Sequence, residues 1–155
     1  MVSAERHMEA MDKIASLANV RERSVKEVRD RLSKLEFTDE ECDEAIDSAL
    51  RSGLIDEERF TRASIRGKVA LGWGRRKIVA SLVESGISME LVERCSEEFP
   101  DEETFHEMAL HELSRRPCRA SRPYNSLMSR LVNKGYDSEL AHRAVTEFLG
   151  CSEPD

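Results

Sequence analysis

Apolar residues recur along this chain at the spacing of one buried helical face, and the same spacing returns about every 50 residues. Val28, Leu32 and Phe37 correspond to Ile78, Leu82 and Ile87, and again to Leu127, Leu131 and Tyr136. A step of four residues and then five carries such a face into a turn. Just before the third apolar residue stand Gly86 and Gly135 in two copies, the residue type favoured where helices end, and Glu36 in the first. Each turn is followed by a capping residue, Thr38, Ser88 or Asp137, and then by Glu40, Glu90 or Glu139 at matching positions.

The pattern predicts three helices per copy: 8–20, 25–36 and 39–52; 56–71, 75–85 and 89–99; 102–114, 124–134 and 138–149. Ser24 with Glu27, and Thr38 with Glu41, read as capping boxes, in which hydroxyl and carboxylate each satisfy an orphan backbone N–H. Strand signals are almost absent. The expected fold is therefore all-α, with three-helix repeats at 1–52, 53–100 and 101–155. A three-helix unit of that size buries little surface alone, so the repeats are expected to stack into an elongated, curved, solenoid-like array of right-handed helices. The first ten residues are a candidate disordered segment.

Composition fits that picture: 35% of residues are charged and 5% aromatic, as in small exposed helical assemblies rather than β-sandwiches. Charge adds something the apolar pattern does not. The chain carries a formal charge of −7, yet Arg59 to Val83 holds seven bases (Arg59, Arg62, Arg66, Lys68, Arg75, Arg76 and Lys77) and no carboxylate. Arg21 to Lys34 and Arg115 to Lys134 are weaker copies, the latter holding Arg115, Arg116, Arg119, Arg122, Arg130 and Lys134. The helices expected third in the first two copies are acidic. Basic helices repeated along a scaffold suit a polyanion, because neutralised phosphates release condensed counterions; pairing of these charges across the protein's own surface is the plainer alternative, and is worth only about 0–1 kcal/mol per exposed pair.

Other chemistry finds little support. Cys42, Cys95, Cys118 and Cys151 form no C-x-x-C pair, and His7, His106, His111 and His142 form no ligand-spaced group, so neither metal nor cofactor is expected. Paired carboxylates such as Glu40 and Glu41 have no apolar pocket to raise a pKa for acid–base work. No apolar run approaches a membrane span, and the polar start lacks a signal-peptide core, so a cytoplasmic protein is expected. Without a heptad, a monomer is expected.

Two linked motifs carry a resemblance. Gly53-Leu-Ile-Asp-Glu-Glu-Arg-Phe60 is followed by Gly72-Trp-Gly-Arg-Arg-Lys-Ile78, then Leu82 and Gly86-Ile87. Together they resemble the central signature of the RecX family of recombination regulators. The match is firmest at Gly53, Asp56, Arg59, Phe60, Gly72, Gly74, Arg76 and Ile78, and the three-helix repeat extends it over essentially the whole chain. What the resemblance implies is a non-enzymatic protein that binds the RecA filament on single-stranded DNA, lodges along its groove and limits its recombinase, ATPase and coprotease activities, in DNA repair and the SOS response.

The chain departs from the family pattern at Arg75, where proline is common after the second glycine, and at Thr61, where a small alanine is usual. It is also acidic where many relatives are basic, which favours binding to a filament over tight binding to naked DNA. The contact residues expected on this reading are Arg59, Arg62, Arg66, Lys68, Trp73, Arg75, Arg76, Lys77, Arg115, Arg116, Arg119 and Arg122, while Gly53, Asp56, Phe60, Gly72, Gly74, Ile78, Leu82 and Gly86 build the signature. Trp73 suits a stacking platform as well as a plug between helices, and the N–H groups at Gly72 and Gly74 are candidates to receive a phosphate. An independent helical DNA-binding regulator and a protein-only scaffold remain as alternatives.

Overall fold

A computed structural model describes residues 1–150, so Cys151 and the residues after it, the end of the third expected repeat, lie outside the described residues. Among the described residues there are nine α-helices and no strand: α1 (Ala4–Val20), α2 (Val25–Lys34), α3 (Asp39–Ser52), α4 (Glu57–Ala70), α5 (Arg75–Glu84), α6 (Met89–Arg94), α7 (Glu102–Ser114), α8 (Pro123–Lys134) and α9 (Ser138–Phe148). Their starts follow local chemistry. Both expected capping boxes form, Ser24 with Glu27 and Thr38 with Glu41. Ser88 and Asp137 accept from the backbone N–H three residues on, and Asp56 accepts from Glu58 and Arg59 at the head of α4.

Two elements differ from the sequence expectation. The first helix starts at Ala4, inside the candidate disordered segment, with Ser3 accepting from the Arg6 N–H. The sixth stops at Arg94 and continues only as a single 3-10 turn, Ser96–Glu98. Pro100 disfavours the α region at Phe99, so the last turn tightens before the chain leaves the helix.

The repeat is reproduced at the level of single hydrogen bonds. The N–H groups of Phe37, Ile87 and Tyr136 each donate to the carbonyl five residues back, on Leu32, Leu82 and Leu131, at 3.1, 3.0 and 3.1 Å. The residue before each takes the left-handed conformation: Glu36 at φ 67°, Gly86 at 87° and Gly135 at 105°. These are Schellman closures, and the two residues each one joins are buried against the core. Glu36 bears the steric cost that the other copies avoid. Glu36→Gly is accordingly expected to stabilise the protein by about 0.5–1 kcal/mol, relief of backbone strain outweighing the added freedom of the unfolded chain. A thermal melt by circular dichroism that fell instead would show that the Glu36 side chain contributes more than its backbone costs.

Contacts divide the described chain into two compact units, one made of residues 1–63 with 82–95 and the other of 64–81 with 96 onward. In the first, α1, α2 and α3 all pack on one another around Ile14, Val28, Leu32, Phe37, Ile46 and Ile55. Arg6 fastens α1 to this core. Its guanidinium lies 4.2 Å from the Phe37 ring centroid and makes a two-pronged contact with Glu41, Nε to Oε2 at 2.8 Å and Nη2 to Oε1 at 3.3 Å.

Hydrogen bonds from Arg6 and then from the Thr38 backbone hold the Glu41 carboxyl down to about 2. Its folded value lies below its unfolded one, so the stabilisation is full above about pH 4.5 and is lost as pH falls towards 2. Glu41→Gln should therefore melt lower than the parent protein at pH 6, with the gap closing as both are acidified. A gap independent of pH would assign the loss to packing instead.

In the second unit, α7, α8 and α9 pack on one another around Phe105, Leu113, Leu127, Leu131, Tyr136 and Val145, all buried. Phe105 and Tyr136 meet edge to face, with ring centroids 6.3 Å apart.

Candidate docking surface

The cations expected to act together fall into two groups. On α4, Arg59 Nε lies 2.9 Å from a Glu22 carboxylate oxygen, Arg62 pairs with Glu58 at 3.1 Å, and Arg66 pairs with Glu98 at 3.0 Å. Arg59 also donates to the Gly53 carbonyl at 3.0 Å. Exposed pairs of this kind contribute little to stability, but each places a carboxylate where an incoming phosphate would sit. These three arginines are already engaged within the protein.

Lys68, Arg75, Arg76 and Lys77 are placed differently. The Lys68 and Lys77 ammonium groups lie 4.8 and 4.1 Å from the centroid of the half-buried Trp73 ring, and the Arg75 guanidinium lies 4.5 Å from that of Phe99. Aromatic faces hold these cations without neutralising them. The exposed Arg76 side chain has no hydrogen-bond, ion-pair or ring partner among the described residues.

The turn that carries Trp73 is built by close backbone approach. Gly72 closes α4 at φ 84°, and its carbonyl accepts the Tyr136 hydroxyl at 2.7 Å; burial, then the nearby Glu112 charge, push that phenol up to about 12. Gly74 is buried, and a Cβ on it would lie 2.4 Å from the Gly135 carbonyl carbon and from the Tyr136 nitrogen. A Cβ on Gly135 would lie 2.4 Å from that of Lys77. Through this contact the Gly74 and Arg76 N–H groups donate to the carbonyls of Lys134 at 2.9 Å and Gly135 at 3.0 Å. The final carbonyls of α8 thus cap the first turn of α5. This corrects the phosphate expectation for both glycines: the Gly74 N–H is spent here, and the Gly72 N–H donates to the Val69 carbonyl at 2.9 Å.

Beside that junction lies a cleft of about 490 Å³ lined by Lys77, Glu112, Arg115, Arg116, Arg130, Asn133 and Lys134. It gathers five cations around a single carboxylate, in a chain of net charge −7. Glu112 is shared between Arg115 at 3.2 Å and Lys134 at 3.7 Å. Arg130 and Lys134 are four residues apart, on one face of α8. Arg130 also donates to the carbonyls of Leu113 at 3.4 Å and Arg116 at 3.1 Å, which ties down the start of the loop between α7 and α8.

Arg119 and Arg122 sit farther along that loop, exposed, outside the cleft lining, and with side chains that have no partner among the described residues. The loop's Cys118 thiol is drawn below the usual range by the Ala120 backbone N–H, with smaller help from Ser126 and the Arg130 charge. Sequence reasoning placed Lys77, Arg115 and Arg116 among the contact residues and named Arg130 and Lys134 only as members of the third basic window; Glu112 it did not name. The step of four between Arg130 and Lys134 was the available signal.

Helices in tandem triplets, with no strand among the described residues and a cationic cleft in the second unit, define an all-helical protein of repeated three-helix units. The family models for the first and second three-helix domains of RecX match residues 10–48 and 56–95, together more than half of the chain. The chain belongs to the RecX family. It is 30% identical over 145 residues to a regulatory protein RecX of Listeria monocytogenes, covering 88% of this chain and 53% of that relative. With the RecX of Prosthecochloris aestuarii it shares 23% identity over 141 residues, covering 90% and 93%. The crystal structure of RecX from Lactobacillus salivarius superposes with a TM-score of 0.77 at 18% identity, covering 94% of this chain and 98% of that one. The chain spans about half the length of the Listeria relatives it matches. No helix among the described residues is long and apolar enough to cross a membrane.

Proposed function

We propose that this protein is a non-enzymatic regulator of the RecA recombinase that docks on the RecA filament on single-stranded DNA and restrains its ATPase, recombinase and coprotease activities. The observation that carries the reading is the uncompensated positive charge of the second unit. In an acidic chain of the RecX family, Lys68, Arg75, Arg76, Lys77, Arg116, Arg119 and Arg122 have no carboxylate partner among the described residues, and two of them, Lys77 and Arg116, line the cationic cleft. A filament presents phosphates and protein side by side, and a surface of this kind fits it better than naked DNA, which the −7 net charge repels at long range. The chain acts as a monomer in the cytoplasm, and its repeats at 1–52, 53–100 and 101–155 are successive copies of one docking unit.

The deciding experiment is RecA ATPase turnover on single-stranded DNA with and without the full chain. Substoichiometric slowing that weakens as salt rises supports the reading; unchanged turnover at saturating protein rejects it. Sequence-specific protection of duplex DNA, without any effect on the filament, would favour an independent DNA-binding regulator. Trp73→Ala is expected to weaken filament binding about 10-fold, in the range of one lost stacking contact, and to lower the melting temperature by much less. The reverse order of effects would make Trp73 a packing residue.

A further inference from the structure

The cationic cleft continues into a second hollow. A cleft of about 540 Å³ is lined by Val69, Leu71 and Met108 among others, and it shares Glu112 and Arg115 with the first. The ion pair between those two residues, at 3.2 Å, is therefore where the hollows meet. Leu71, at the end of α4, is 60% exposed although it borders this second hollow. The two halves differ in chemistry: the second sets Val69, Leu71 and Met108 beside Thr104, Glu107, His111 and Glu112, while the first is basic, so a ligand with an aliphatic part and a separate anionic part matches both.

We infer that this two-part groove is a docking site for an acidic peptide segment of a partner protein that carries an aliphatic anchor residue. The inference rests on the regulatory reading above and assigns the groove to the protein component of the complex rather than to nucleic acid. A base held in the second half would find the single His111 ring among its lining residues to stack on, without Phe, Tyr or Trp. Its phosphate would meet Glu107 and Glu112, both of which line that half. A peptide fits both halves. An aliphatic side chain among Val69, Leu71 and Met108 leaves the hydrophobic surface covered, while neighbouring Asp or Glu residues reach Arg116, Arg130 and Lys134. This is the common division of labour in peptide grooves, with an apolar anchor giving affinity and flanking charge giving orientation and on-rate.

The test uses the full chain and fluorescein-labelled twelve-residue peptides of Asp and Glu with one central Leu, followed by anisotropy at moderate salt. The Leu peptide is expected to bind about 10-fold more tightly than the same peptide with Ser at the centre, the discrimination typical of one aliphatic group in a pocket. Leu71→Ser should erase that preference, and Arg116→Glu should weaken both peptides by about 10-fold. Both side chains are exposed, so matching melts will show that the fold is retained. Equal binding of the Leu and Ser peptides overturns the proposal. So does an oligothymidylate of equal charge that outcompetes the Leu peptide, because it would make the groove a nucleic-acid site. Amide chemical-shift changes confined to residues away from Val69, Leu71 and Met108 would also overturn it. Failure here with RecA ATPase still restrained removes the groove and leaves the regulatory reading; peptide binding with no effect on RecA does the opposite.

Discussion

Gly74→Val is expected to destabilise this protein by about 4 kcal/mol, which combines overpacking against fixed backbone with the loss of two backbone hydrogen bonds. At this chain length that corresponds to a fall of roughly 8–16 °C in melting temperature. A Cβ at position 74 would be 2.4 Å from atoms of the Gly135 and Tyr136 backbone, which cannot rotate away as a side chain would. To make room, the α8 turn must retreat from α5, breaking the bonds from Gly74 and Arg76 to Lys134 and Gly135. Trp73 is the sole tryptophan and adjoins the site, so its emission should shift as well, reporting the local opening. A variant with wild-type melting and emission would show that the two backbones are not in contact.

If the protein docks on the RecA filament as proposed, reversing Arg76, Arg119 and Arg122 to Glu should lower affinity for the filament about 100-fold and reduce the slope of log affinity against log salt by about 2, near the value for three single-strand phosphate contacts. These residues are the cleanest choice because their side chains have no partner among the described residues, so the fold should not change. The same reversal at Arg59, Arg62 and Arg66 should do less, since Glu22, Glu58 and Glu98 already offset those charges. An unchanged slope in the first triple variant would remove its residues from the interface. A larger effect in the second would move the docking surface onto α4.

The helices were legible in the sequence because what starts and stops them is local. Ser24 and Glu27 are three residues apart, and each Schellman turn closes within six residues. Even the strained Glu36 was marked, since it stands where the other copies place glycine. The first residues of α1 were missed because their anchor, Arg6, finds Glu41 across 35 positions of sequence. Charge was legible as windows but not as surfaces. No local pattern reveals that Arg66 meets Glu98 while the Arg76 side chain has no partner among the described residues, or that Lys77 shares a cleft with Arg130 and Lys134. Likewise the glycines at 72 and 74 announced an unusual turn, but not that a carbonyl rather than a ligand would take the Gly74 N–H.

The Schellman turn that ends α2, α5 and α8 is closed by main-chain atoms, so its geometry asks little of the side chains around it. Beyond a residue able to adopt positive φ, it needs one apolar group afterwards, and phenylalanine, isoleucine and tyrosine all serve. Such a joint tolerates evolutionary drift. It helps explain how chains that have kept only 18% of their residues in common still superpose, leaving the exposed positions between joints free to diverge.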